Sequence, residues 1–130
     1  MTDVFVVDDE EDVISMLRRN LKMDGYNVKG AQNREEALEK MKQNNFPIVL
    51  LDIKFPETSG TELLREFKKI HPPTNVLMIT GYASLENVMT CLGEGAIDYL
   101  TKPLDMEVVK DRLTIIESKV ERWRDEIGIQ

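Results

Sequence analysis

Four apolar runs that each stop at a polar residue limit this chain to a small set of architectures. Val4-Phe5-Val6-Val7 stops at Asp8-Asp9, and Ile48-Val49-Leu50-Leu51 stops at Asp52. Val76-Leu77-Met78-Ile79 stops at Thr80, and Tyr99-Leu100-Thr101 leads into Lys102-Pro103. Short continuous apolar runs suit strands covered on both faces, which are found in parallel sheets wrapped by helices. The strand C-termini of such a sheet share one edge, where ligand sites form at the topological switch point. Polar residues delivered to that edge four times over are hard to explain as packing.

Amphipathic segments alternate with the runs. Val13, Ile14, Leu17 and Leu21 form a helical stripe that Gly25 closes. A weak strand over Asn27–Ala31 precedes Asn33, an N-cap with Glu36 three residues on. Ala37, Leu38 and Met41 mark a second helix that stops before Pro47, and Leu63, Leu64, Phe67 and Ile70 mark a third. Leu85, Val88, Met89 and Leu92 mark a fourth, Ile97–Thr101 is the last strand, and a final helix starts near Asp105. Five βα units with short loops predict one doubly wound α/β domain, since right-handed crossovers put helices on both faces.

Composition excludes several functions. The 130 residues suffice for a core without disulfides, and the single Cys91 excludes an internal one. No apolar run reaches the roughly 18–20 residues of a membrane span, and Met1-Thr2-Asp3 does not begin a secretory signal. A cytoplasmic location is expected. A net charge of −7 argues against direct nucleic-acid binding, which needs clustered Lys and Arg.

Taken singly, the polar strand ends are weak signals. Asp8-Asp9 could be a solvated helix N-terminus, Asp52 a turn residue, Thr80 a satisfied hydroxyl and Lys102 a surface charge. Together they describe crowded carboxylates that repel unless a cation neutralises them. A hard divalent ion with oxygen ligands fits, and Mg²⁺ is the abundant one. One carboxylate could then act as a nucleophile toward phosphorus, with Lys102 and Thr80 contacting the phosphoryl oxygens. Asp52, from the sheet centre, is the best nucleophile.

Val6-Val-Asp-Asp-Glu10, Asp52-Ile-Lys-Phe-Pro-Glu-Thr-Ser-Gly60, Ile79-Thr-Gly-Tyr-Ala83 and Gly95-Ala-Ile-Asp-Tyr-Leu-Thr-Lys-Pro103 together resemble the response regulator receiver domains of two-component signalling. Gly81-Tyr82 and the run to Lys102-Pro103 are similar to receivers of sigma-54-type transcriptional activators. The resemblance implies a five-stranded parallel sheet in the flavodoxin-like order 2-1-3-4-5 with five helices. It implies a receiver over residues 1–120, leaving 121–130 as an extension of the last helix. It also implies that Asp52 accepts a phosphoryl group from a sensor histidine kinase. Asp8, Asp9, Asp52 and the Lys54 backbone carbonyl would hold Mg²⁺. Thr80, Lys102 and the Gly81 backbone N–H would bind phosphate, Tyr99 would move inward with Thr80, and Lys102-Pro103 would be a cis peptide. Phe55 replaces the usual Met or Leu before Pro56, which should alter loop packing only.

Activation would then change the surface of the fourth helix, fifth strand and fifth helix, which would serve a homodimer, a partner or a fused output domain. Lys54 and Tyr82, two residues past Asp52 and Thr80, should flank the path of the hydrolytic water and set the phosphoryl lifetime. The enzyme alternative is a Mg²⁺-dependent phosphatase with an Asp nucleophile. Such enzymes want an acid two residues after the nucleophile, where this chain has Lys54. His71 reads as an exposed loop residue and Cys91 as a structural thiol. Val109, Leu113, Ile116, Val120, Trp123 and Ile127 alternate spacings of four and three, so the last helix either frays or extends to dimerise or lead into an output domain.

Overall fold

Alternation of side chains along the buried strands splits the core into two layers, one on each face of the sheet. The computed structural model describes residues 2–54, 59–81 and 85–127, apart from the side chains of 85, 123–125 and 127. Strands β1 (Thr2–Val7), β2 (Tyr26–Ala31), β3 (Ile48–Asp52), β4 (Asn75–Thr80) and β5 (Asp98–Thr101) alternate with helices. These are α1 (Glu11–Lys22), α2 (Arg34–Gln43), α3 (Gly60–Ile70), α4 (Leu85–Gly93) and α5 (Met106–Ile127). Every strand pairing is parallel, in the order β2-β1-β3-β4-β5 expected from the sequence.

Phe5 and Val7 of β1 face one layer with Phe46, Leu63, Phe67 and Met78. Val4 and Val6 face the other, with Ile14 and Leu17 of α1 and Val109 and Leu113 of α5. Phe5 stacks on Phe46 with ring centroids 4.4 Å apart. Cys91 is buried in the first layer, as its structural reading required, and its thiol lies 3.8 Å from the Thr61 hydroxyl. His71 departs from its expected exposure: it is the half-buried C-cap of α3, its N–H bonded to Phe67 O.

Element ends show what periodicity alone misses. The strands β3 and β4 include Asp52 and Thr80, because these polar residues continue the ladder. β5 begins one residue later than expected, at Asp98. Helix α1 ends at Lys22 and Met23 caps it, while Gly25 follows at φ 85°, a conformation that glycine adopts at little cost. Asn33 caps α2 by accepting from Glu36 N at 2.8 Å, and Glu36 reaches back to Gln32 N rather than to the cap itself. On the outer edge of β2, Arg18 donates to Val28 O and Lys40 to Gly30 O, covering carbonyls that could otherwise pair with another strand.

Opposite the polar edge, α5 is fastened to the sheet by Glu117. Tyr26 OH donates to Glu117 Oε2 at 2.9 Å, and the Thr2 hydroxyl donates to Oε1. Burial, then the Glu117 carboxylate, pushes the Tyr26 phenol up to about 12. The neutral phenol therefore favours the fold: its contribution is intact below the ordinary value near 10 and lost as pH rises through about 12. Tyr26→Phe should cost about 1 kcal/mol at pH 7. In urea melts it should also flatten the decline in stability above pH 10 that the wild type shows. An equally steep alkaline decline in the variant would contradict the assignment.

Along α5, Val109, Leu113 and Ile116 are buried and Val120 is half-buried, while the side chains of Trp123 and Ile127 lie outside the described residues. Among the described residues, no helix is long and apolar enough to cross a membrane.

Candidate functional site

Strand register decides which polar ends meet. Val7 pairs with Leu51, so Asp8 and Asp52 follow side by side at the ends of β1 and β3. Asp52 pairs with Ile79 and Thr80 with Thr101, which brings Thr80 and Lys102 to the same edge. The Lys102 N–H donates to Thr80 O at 2.8 Å and fixes the start of the following loop. The peptide bond between Lys102 and Pro103 is cis.

The Lys102 ammonium sits between the acids. Its Nζ lies 3.0 Å from Asp8 Oδ2, 3.2 Å from Asp52 Oδ2 and 3.9 Å from Glu10 Oε1. Asp8 is fully buried and Asp52 nearly so, whereas Asp9 and Glu10 are exposed. Asp8 continues the line of β1, its N–H bonded to Ala31 O at 3.1 Å, and its burial removes it from the role of a solvated helix cap. Asp8 Oδ1 accepts Glu10 N at 2.9 Å, and Asp52 Oδ1 accepts Lys54 N at 3.0 Å. Asp8 Oδ2 is buried, and the Lys102 ammonium at 3.0 Å is its partner.

Electrostatics follow from this crowding. Burial, then the Asp8 charge, raises the Asp52 pKa above the ordinary carboxylate value, against the opposing pull of Lys102 and the Lys54 N–H. For Lys102, burial alone would lower the pKa. The Asp8 and Asp52 carboxylates outweigh it, and the ammonium is held above the ordinary lysine value.

One lysine therefore serves two buried carboxylates, which leaves an excess of negative charge. A hard divalent cation fits that need, because every available donor is an oxygen. Carboxylate oxygens of Asp8, Asp9 and Glu10 lie within 4.8 Å of one another. Glu10 had no assigned role from sequence, although its adjacency to the acid pair was the available signal. Gln32 was missed altogether: its Nε2 donates to Asp9 O at 3.3 Å and ties the acid loop to the end of β2.

The remaining candidates are less closely joined. Thr80 is buried at the end of β4, and Gly81 is exposed, with open space where a Cβ would lie. Lys54 is exposed beside Asp52. Tyr99 is 39% exposed and lines a cavity of about 320 Å³ with Leu104, Val108 and Arg112, which neither Asp8 nor Asp52 lines. Phe55, Pro56 and Tyr82 lie outside the described residues.

Comparison with known proteins agrees with this geometry. Transcriptional regulatory protein ZraR of Klebsiella oxytoca is 40% identical over 116 residues, covering 89% of this chain and 26% of that protein. The chain thus spans about a quarter of such a relative's length. The crystal structure of a CheY-like response regulator receiver domain protein from Methanospirillum hungatei superposes with a TM-score of 0.82 at 35% identity, covering 92% of this chain and 98% of that one. A response regulator from Burkholderia pseudomallei, crystallised with a phosphorylated aspartic acid, calcium ion and citrate, gives 0.80 at 25% identity over 100% and 88%. Residues 4–114 match the response regulator receiver domain family, to which this chain belongs.

Proposed function

We propose that Asp52 is the phosphoacceptor of a two-component switch and that a sensor histidine kinase is the donor. The observation that carries this reading is the single Lys102 ammonium shared by the buried Asp52 and Asp8 carboxylates. An Asp52 oxygen forms the new bond to phosphorus as the P–N bond of the kinase phosphohistidine breaks and the imidazole leaves with that electron pair. Lys102 can swing from the carboxylates to an equatorial phosphoryl oxygen, while Thr80 Oγ1 and the Gly81 N–H supply further contacts. Asp8, Asp9, Asp52 and the Lys54 carbonyl would hold Mg²⁺, with Glu10 near enough to join through its carboxylate. When bound, the ion neutralises the carboxylates and the developing phosphoryl charge. Lys54 and Tyr82 would flank the water that ends the signal, and the protein would work in the cytoplasm.

Receiver domains are signalling switches, and this chain's exposed apolar surface suggests how the signal leaves. Met89 and Leu92 of α4, Tyr99 of β5 and Ile115 of α5 are all exposed, and Asp98 of β5 pairs with Arg112 of α5. Phosphorylation would draw Thr80 toward Asp52 and let Tyr99 fill the space, changing that face. A homodimer, an effector or a fused output domain controlling transcription would read the change. Residues 121–130 would then extend α5 past the receiver, and truncation after Lys119 should weaken any self-association without altering Asp52 chemistry.

Incubation with acetyl phosphate and with a phosphate monoester separates the switch from a phosphatase. A switch becomes modified once per chain and leaves the monoester intact. Multiple turnover on the monoester would favour the enzyme, against the Lys54 that stands where such an enzyme wants an acid.

A further inference from the structure

Ile53 is pinned between β4 and the first turn of α3, and Gly60 is what lets that turn come so close. The Ile53 N–H donates to Ile79 O at 2.8 Å, and the Gly60 N–H donates back to Ile53 O at 2.9 Å. A Cβ on Gly60 would lie 2.4 Å from Asp52 O, 2.6 Å from Ile53 Cα and 2.9 Å from Ile53 O. All three are backbone atoms. Gly60 does not have a positive φ, so space rather than conformation demands glycine. The Ile53–Lys54 peptide, whose carbonyl accepts the Gly60 N–H, presents its own N–H to Asp52 Oδ1, so moving it moves the hydrogen bond that orients the carboxylate.

Other described glycines differ. A Cβ on Gly30 would meet Ile14 Cγ2 at 2.6 Å, the end of a side chain that can rotate away. One on Gly95 would touch only the flexible Lys68 chain at 3.4 Å, and one on Gly81 would meet nothing within 4 Å. Among the described glycines, Gly60 alone abuts immovable backbone, and that backbone belongs to the candidate phosphoacceptor.

We infer that Gly60 is a positioning residue for Asp52: its missing side chain sets where the carboxylate stands relative to Lys102 and Asp8. This rests on the reading of Asp52 as the phosphoacceptor. Relieving the contact requires a backbone shift of about 1 Å, and a misplacement of that size can cost on the order of 100-fold in rate.

The test compares Gly60→Ala with Gly30→Ala and Phe67→Leu, which disturb packing away from Asp52. All are measured at a temperature where circular dichroism shows them folded. The readouts are the rate of modification by acetyl phosphate with Mg²⁺, and the Lys54 amide chemical shift in metal-free protein at pH 7, which reports the hydrogen bond to Asp52 Oδ1. Gly60→Ala should be modified about 100-fold more slowly with a displaced Lys54 shift, while the two controls keep the wild-type shift and nearly the wild-type rate. A wild-type rate and shift in Gly60→Ala, or a loss no greater than in the controls, would overturn the inference. Should Gly60→Ala fail to fold, Ser59→Ala loosens the same turn by removing the Ser59 Oγ cap on Glu62 N at 3.2 Å. It should move the Lys54 shift and slow modification in the same direction, and an unchanged Ser59→Ala would also overturn the inference. If the wild type is not modified but Gly60→Ala still moves the Lys54 shift, the phosphoacceptor reading fails and the positioning role stands.

Discussion

Lys102→Ala should lose about 3 kcal/mol of stability at neutral pH in metal-free buffer, and Mg²⁺ should restore part of it. The lysine is the shared cation of Asp8 and Asp52, and its side chain is itself only 21% exposed. Removing it leaves two buried carboxylates facing each other, with Asp8 Oδ2 deprived of its cation. Deleting one partner of such a group costs more than the group contributes, because the remaining charges have lost their water. The pH dependence follows from the direction of each shift. Asp52 has a raised pKa, so its ionised form works against the fold. That cost is absent below the ordinary carboxylate value and grows as pH rises through the raised one. Without Lys102 the opposing pull is gone and the cost deepens. Lys102 has a raised pKa, so its contribution is complete at pH 7 and would be lost only above the ordinary lysine value of 10.5. Urea melts should therefore show variant and wild type closest near pH 4 and furthest apart near pH 7. Equal stability at pH 7 would mean that water, not Lys102, compensates the acids.

Asp52→Asn should act in the opposite direction on stability while abolishing modification. It removes a carboxylate whose ionised form is disfavoured by burial and by Asp8, and it leaves Lys102 to pair with Asp8 alone. The metal-free variant should melt at a higher temperature than the wild type at pH 7, with the difference shrinking toward pH 4. Mg²⁺ should stabilise the variant less than the wild type, since one ligand has lost its charge. A variant that melts lower at pH 7 would show that the Lys102–Asp52 contact outweighs the crowding.

The two effects explain why the site was legible in sequence and where legibility stopped. Val4–Val7, Ile48–Leu51 and Val76–Ile79 could be read as strands because both faces of each are covered, so nothing polar interrupts them. The polar residues that follow had no packing role, and that exposed the edge. The sequence could not say which of Asp8 and Asp9 is buried, because both faces of β1 are covered and only the placed Lys102 and Asp52 show which acid turns into the site. Glu10 was hidden in the same way. Gln32 binds a carbonyl, which leaves no mark on the sequence of its partner. Glu117 joins Thr2 and Tyr26 across separations of 115 and 91 residues, a contact that only the closed fold creates. Gly60 closes a motif in the sequence, but only the fold brings the Asp52 and Ile53 backbone against it.

Peptide mapping of wild-type protein after acetyl phosphate treatment, with Mg²⁺ and with chelator, tests the central claim most directly. One phosphoryl group should be found per chain, on Asp52, present with Mg²⁺ and absent with chelator. Modification at another residue, or at Asp52 to the same extent without a divalent ion, would contradict the account.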